Sequence, residues 1–127
     1  LFSSAIKLPT QYMHTLWFSL TFKDAIKYED IMENLNNSGF LMATEKMSSN
    51  KVFSFGRDHG YHGRILSHGV VAEQSLHVKD NTLTGYCFTP QDGNALLSSV
   101  AGTVQHYYKN DWQKKMEVFN RYIFKNI

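Results

Sequence analysis

A stretch in which apolar and polar residues alternate is the feature that most constrains the fold of this chain. Between Met13 and Phe22, large apolar side chains occupy every second position, at Leu16, Phe18, Leu20 and Phe22. A period of two places these side chains on one face of a β-strand. The stretch therefore predicts a strand that packs one face against a core.

The segments on either side of this strand carry different signals. Leu1 to Gln11 is predicted to be an irregular or extended lead-in, because Pro9 disfavours helix at the residue before it. A helix is predicted over about Tyr28 to Asn37, with Ile31 and Leu35 on its buried side. The Asn-Asn-Ser-Gly sequence at residues 36–39 predicts its end.

The middle of the chain predicts short strands and a hairpin. Phe40 to Thr44 is an apolar strand, residues 45–51 are polar and loop-like, and Ile65 to Ala72 carries a further strand. Two apolar runs, at residues 75–78 and 83–89, flank Lys79-Asp80-Asn81-Thr82. Because an Asp-Asn centre tolerates left-handed backbone geometry, this segment predicts a hairpin turn.

The last third of the chain predicts two helices. Asp92 is the expected N-cap of a helix over roughly Gly93 to Tyr108. Asn110 or Asp111 would cap a second helix that carries Trp112, Met116, Phe119 and Ile123. The order of strand, helix, strands, hairpin and helices predicts an α+β fold, with a mainly antiparallel sheet covered by helices.

Composition narrows the classes of function. The 127 residues fit one domain, residues 1–127, and 43% of them are hydrophobic. The net charge of +2 is too weakly basic for a dedicated nucleic-acid binder, and no apolar run reaches the ~20 residues of a membrane span. The single cysteine, Cys87, excludes a disulfide framework; with the absence of a signal peptide, it favours a cytoplasmic location. Because Leu1 is not an initiator methionine, we expect the chain to be processed or to be cut from a longer protein.

Histidine offers most of the available chemistry. His59 and His62 lie beside Asp58, but two imidazoles are too few ligands for a metal site, so no metal is predicted. His14 begins the alternating strand, and a histidine at a strand end is either a general acid or base or a structural, hydrogen-bonded residue. Cys87 lies within a predicted strand, where a buried thiol is expected to act as a small apolar group rather than a nucleophile.

Five segments together resemble one known family. They are Leu8–His14 (Leu-Pro-Thr-Gln-Tyr-Met-His), Tyr28–Leu35, Phe55–Gly60 (Phe-Gly-Arg-Asp-His-Gly), Glu73–Leu83 and the helix that begins at Asp111-Trp112. Their order and spacing resemble the carboxy-terminal domain of the archaeal-type (type II) glyceraldehyde-3-phosphate dehydrogenases. The resemblance runs from about residue 8 to residue 124.

This resemblance implies an oxidoreductase of two domains. An amino-terminal Rossmann domain would bind NAD or NADP, and the second, α+β domain would contribute catalytic residues. In such enzymes a cysteine attacks the aldehyde to form a thiohemiacetal, and a histidine acts as general base. The resemblance makes His14 the candidate base, and it implies a homo-oligomer because the sheet of this domain is used for subunit contacts in the family.

The departures from the family pattern are also informative. The family's nucleophilic cysteine and its dinucleotide-binding half lie upstream of the segment that this chain covers. The family carries a second histidine two residues after the first, and Leu16 stands at that position here. If the second histidine is the base, this chain lacks it. Gln91 and Asp92 resemble a Gln-Glu pair near the nicotinamide and are candidate cofactor contacts. The alternative, which the residues themselves favour, is a turn in which Asp92 caps the next helix.

Three functions therefore compete. The first is the catalytic-domain portion of an NAD(P)-dependent aldehyde oxidoreductase, inactive alone, with a Rossmann domain expected upstream of Leu1. The second is a non-enzymatic oligomerisation or binding module that reuses the same fold. The third is another oxidoreductase, acting on a different aldehyde or on an imine, since fold does not determine substrate.

Overall fold

The computed structural model describes residues 1–6, 13–61 and 69–122. The strands are β1 (Phe2–Ile6), β2 (Met13–Thr21), β3 (Leu41–Thr44), β4 (Gly69–Ala72), β5 (His77–Lys79) and β6 (Thr82–Pro90). The helices are α1 (Tyr28–Asn37), α2 (Ser49–Gly56), α3 (Gln91–Tyr108) and α4 (Trp112–Met116). Shorter helical turns cover Arg57–Tyr61, Glu73–Ser75, Lys109–Asp111 and Glu117–Tyr122.

The strands form one mixed, mostly antiparallel sheet in the order β1-β2-β6-β4-β3, with β5 also paired to β6. β2 and β6 pair antiparallel along their whole length, from Met13 opposite Pro90 to Thr21 opposite Thr82. β3 and β4 are parallel, and all other strand pairs are antiparallel. The predicted α+β class with a mainly antiparallel sheet is confirmed.

Most predicted elements are found, and several match closely. β2 ends one residue before the predicted strand, and α1 has the predicted bounds, although Ile31 and Leu35 are only half-buried. The hairpin turn also forms where it was expected, with Asp80 in the left-handed region at φ 55°. The N-terminal lead-in contains a regular strand, since β1 pairs with β2 over five residues.

The segment between β3 and β4 differs from its prediction. Residues 45–51 are predicted as a loop, yet α2 begins at Ser49 and buries Val52 completely. The physical reason is the parallel pairing of β3 and β4, because parallel neighbours need a crossover connection and a helix is its usual form. The predicted strand positions 65–68 lie outside the described residues.

The start of α3 also differs from its prediction. The helix begins at Gln91, so Asp92 is its second residue and not its N-cap. α4 does begin directly after Asp111, but Asp111 makes no side-chain cap hydrogen bond. Ile123, assigned to the last helix in the sequence analysis, lies outside the described residues.

Two apolar clusters hold these elements together. On one side of the sheet, here called the α2 face, α2 packs through Val52 on a cluster formed by Met13, Met42, Val70, Ala72 and Phe88. A second cluster joins α3 to α4, with Leu97, Ala101 and Met116 buried and Phe40 packed beside Trp112 at a ring distance of 6.0 Å.

Truncation of Met42 to alanine tests the core of the α2 face. Met42 is 2% exposed, and the substitution should lower the free energy of unfolding by about 2–5 kcal/mol, because it removes buried apolar contacts and leaves a cavity. Urea unfolding followed by circular dichroism measures the change. Met47, which is 51% exposed, provides the control, since Met47→Ala should change stability by less than about 0.5 kcal/mol. Equal effects of the two substitutions would contradict the packing described.

Candidate functional site

The β2–β6 register brings the residues singled out from the sequence to one end of the sheet. His14 lies opposite Thr89, and Met13 lies opposite Pro90. The next two residues after Pro90 are Gln91 and Asp92, whose backbone forms the first turn of α3. Thus His14 and the beginning of α3 lie side by side, although 76 or more residues separate them along the chain.

His14 is exposed and lies on the side of the sheet opposite the α2 face. Met13 is buried in the apolar cluster of the α2 face, and successive residues of a strand point to opposite faces. His14 and Leu16 therefore share one face, here called the α1 face. Their Cα atoms are about 6.6 Å apart at the usual strand rise. A side chain at this position is accessible to solvent.

The α1 face contains an apolar cavity of about 280 Å³ between the sheet and α1. Leu16, Phe18 and Leu20 of β2 form one side, and Ile31 and Leu35 of α1 form another. These five side chains are the apolar stripes predicted for the two elements, but α1 does not fill the space above the sheet.

Two glycines on the α1 face allow the cavity walls to lie close to the sheet. A Cβ atom at Gly69 would be 2.7 Å from Sγ of Cys87 and 3.3 Å from Cδ2 of Leu41. A Cβ atom at Gly85 would be 2.8 Å from Cδ2 of Leu76 and 3.0 Å from Cζ of Phe18. Larger residues would push these four cavity-lining side chains away from their present positions.

Cys87 lines the same cavity and is poorly suited to nucleophilic attack. Burial raises the pKa of its thiol to about 11, although a hydrogen bond from the backbone of Val70 opposes the shift. The thiol donates a weak hydrogen bond to the carbonyl oxygen of Phe88 at 3.7 Å. Because the thiolate is the reactive form, these surroundings agree with the interpretation of Cys87 as a small apolar side chain.

The histidine-rich segment after α2 forms local contacts. His59 stacks on Phe55 at a ring distance of 4.1 Å, and its Nδ1 donates to the carbonyl oxygen of Phe55 at 2.8 Å. Arg57 and Asp58 form an exposed ion pair at 3.0 Å. His62 lies outside the described residues. Within the part of the chain that is described, no three His, Cys, Asp or Glu side chains are grouped as a metal site.

The described residues do not fit a whole dinucleotide. A dinucleotide-binding unit needs a glycine-rich turn between a parallel strand and a helix, where backbone N–H groups approach the pyrophosphate. The connection from β3 to α2 is Glu-Lys-Met-Ser, without glycine, at residues 45–48. Any nicotinamide dinucleotide would therefore need most of its binding site from outside these residues.

A second cavity, of about 300 Å³, lies between α4 and the connection from α1 to β3. Phe40, Trp112 and Met116 line it with apolar atoms, while Asn37, Glu117 and other exposed polar residues line it at the surface. None of the residues proposed from the sequence as site residues lines this cavity.

The apolar cavity is the feature that sequence reasoning missed. Its signal is present, since the apolar stripe of β2 and that of α1 are both readable from the sequence. The spacing between the two elements, however, depends on how the tertiary structure positions α1. No pattern in the sequence reports that distance.

Comparison with known proteins gives no assignment. No protein-family model matches the chain, and no curated protein is detectably similar to it. Among the described residues, no helix has both the length and the apolar character needed to cross a membrane.

Alkylation of Cys87 tests the apolar cavity wall. With a pKa of about 11, the thiol should react with iodoacetamide at least about 100-fold more slowly near pH 8 than it does in urea, where an unperturbed pKa of about 8.5 applies. Mass spectrometry of timed samples gives both rates, and the native rate should keep rising up to about pH 11. Similar rates in the native and unfolded states would show that Cys87 is accessible and ionised.

Proposed function

We propose that this chain is the catalytic-domain portion of an NAD(P)-dependent aldehyde oxidoreductase that resembles glyceraldehyde-3-phosphate dehydrogenase, and that it is inactive alone. One observation carries the proposal: the β2–β6 register brings His14 next to the strand end that leads into Gln91 and Asp92. The resemblance assigns all three to one catalytic cleft, and they are adjacent in the folded chain.

In this proposal His14 is the general base. It is exposed at the end of β2, so its imidazole is available to a hydroxyl group delivered from another domain. A neutral imidazole within hydrogen-bond reach of a thiohemiacetal hydroxyl would accept its proton. The nucleophilic cysteine comes from upstream of Leu1, because Cys87 is half-buried in an apolar wall and its thiol is hard to ionise.

The nicotinamide dinucleotide is bound mainly by an upstream Rossmann domain. Gln91 and Asp92 would contribute an amide and a carboxylate at the edge of that site. The proposal includes a homo-oligomer, which the family resemblance implies, and a cytoplasmic location, which the single cysteine favours.

A second candidate is a binding or oligomerisation module without enzymatic activity. The observation that favours it is Leu16, which stands where the family has its second histidine and which lines the apolar cavity. A position that carries a polar catalytic group in the family would then contribute apolar surface here. The two functions differ in whether His14 matters for turnover.

Substitution of His14 by asparagine in the full-length enzyme distinguishes the oxidoreductase from the binding module. Turnover of the aldehyde should fall by roughly 10²–10⁴-fold, because asparagine cannot accept the proton. Folding should be unaffected, since the side chain is exposed. His77→Asn is the matched control, because His77 is also an exposed strand histidine but lies on β5. Equal turnover in wild type and His14→Asn would remove His14 from the mechanism and favour the binding module.

The chain by itself should bind neither NAD nor NADP tightly, since no described segment supplies a pyrophosphate-binding turn. Isothermal titration calorimetry with each dinucleotide tests this expectation. A dissociation constant in the micromolar range, equivalent to about −8 kcal/mol, would contradict it and would place a dinucleotide site within this chain.

A further inference from the structure

The cavity on the α1 face points to the class of aldehyde. We propose that it holds the hydrocarbon part of the substrate, so that the enzyme acts on a medium-chain apolar aldehyde rather than on a phosphorylated one. This inference rests on the proposed function, because it uses His14 as the base. It concerns a different part of the site, namely the surface that recognises the rest of the substrate.

The lining of the cavity excludes a charged ligand. Leu16, Phe18, Leu41, Val71 and Leu83 line it, and no residue that lines it carries a charge. Its polar groups are limited to the hydroxyl of Ser3 at one side and the thiol of Cys87. A phosphate group in this space would lose its hydration without an ion pair or a set of N–H donors, at a cost of several kcal/mol. A hydrocarbon chain gains free energy from the same transfer.

The size of the cavity favours a small molecule over a protein partner. Its volume of about 280 Å³ is near the lower end of ligand pockets, which begin at about 300 Å³. Stable association with another protein needs about 800 Å² on each partner, far more surface than a cavity of this volume provides.

The position of the cavity connects it to the base. Leu16 is two residues from His14 on the same strand and the same face, and its cross-strand partner is Cys87, which lines the cavity with it. An aldehyde whose hydrocarbon chain lies along these two side chains would have its carbonyl group about one strand repeat away, beside His14. The hydrocarbon chain and the aldehyde group would then lie over neighbouring cross-strand positions of β2 and β6.

Binding of octan-1-ol to the isolated chain tests the cavity without any chemistry. The alcohol has the expected hydrocarbon part and cannot be oxidised in the absence of a dinucleotide. In methyl NMR spectra, saturable shifts are expected at Val71, which lines the cavity. They are not expected at Val70, its neighbour in β4, because Val70 is buried in the α2 core.

A matched pair of variants on β1 gives the control. Ser3 lines the cavity and Ser4 lies on the other face of the same exposed strand, opposite Trp17. Ser3→Trp should fill the cavity and weaken octanol binding at least 10-fold, whereas Ser4→Trp should change it less than 2-fold. Because both serines are exposed, both variants should keep the circular dichroism spectrum of the wild type.

Turnover by the full-length protein completes the test. With NAD or NADP present, kcat/KM should be at least 10-fold higher for octanal than for glyceraldehyde 3-phosphate, and Ser3→Trp should lower only the octanal value. Octanol binding with this preference supports the inference. Absence of saturable octanol shifts at Val71 overturns it, while His14-dependent oxidation of the phosphorylated aldehyde would leave the proposed function intact. If octanol binds but neither aldehyde is oxidised, the proposed function and the substrate assignment both fail and only a hydrocarbon-binding site remains.

Discussion

The antiparallel pairing of β2 with β6 is the interaction on which the rest of the structure depends. Nine consecutive residue pairs join these strands, and β1, β4 and β5 each pair with one of them. The register places Met13 and Phe88 on the α2 face, and Leu16 and Cys87 on the α1 face. A slip of one residue would exchange the two faces of the shifted strand, so the apolar pattern specifies the register strongly.

The same register determines the character of the candidate site. Because β2 begins where β6 ends, an exposed histidine and the start of a long helix lie at one end of the sheet, next to an apolar cavity. The two faces have unequal packing: α2 fills its side with Val52, which is wholly buried, whereas α1 leaves space above Leu16 and Phe18. A site that combines one titratable group with an apolar cavity has the usual composition of a small-molecule pocket.

The elements that can be predicted are those with a local signal in the sequence. Alternation of apolar and polar residues predicts β2, the Asn-Asn-Ser-Gly sequence predicts the end of α1, and Asp80-Asn81 predicts the hairpin turn. α2 is not predicted because its eight residues follow a polar stretch, and its helical form depends on a crossover between two strands whose paired residues are 28 positions apart along the chain. His14 could be singled out from the sequence, but its closeness to α3 depends on a pairing between distant strands, and the cavity depends on how far α1 stands from the sheet.

Leu16 is where the two candidate functions differ in physical terms. A second imidazole there would add a polar group to the wall of the cavity, and burying a polar group without a partner is unfavourable. Leucine avoids that cost and extends the apolar surface up to the end of the sheet, where His14 is exposed to solvent. If the chain is part of an enzyme, as proposed, its polar chemistry is confined to that end and the body of the substrate is expected to be apolar. If the chain is a binding module, the same cavity is its candidate binding surface for hydrocarbon and His14 is an ordinary surface residue. Under the proposed resemblance, Leu16 therefore links what the chain can bind to whether it can act, because it sets the composition of a single sheet face.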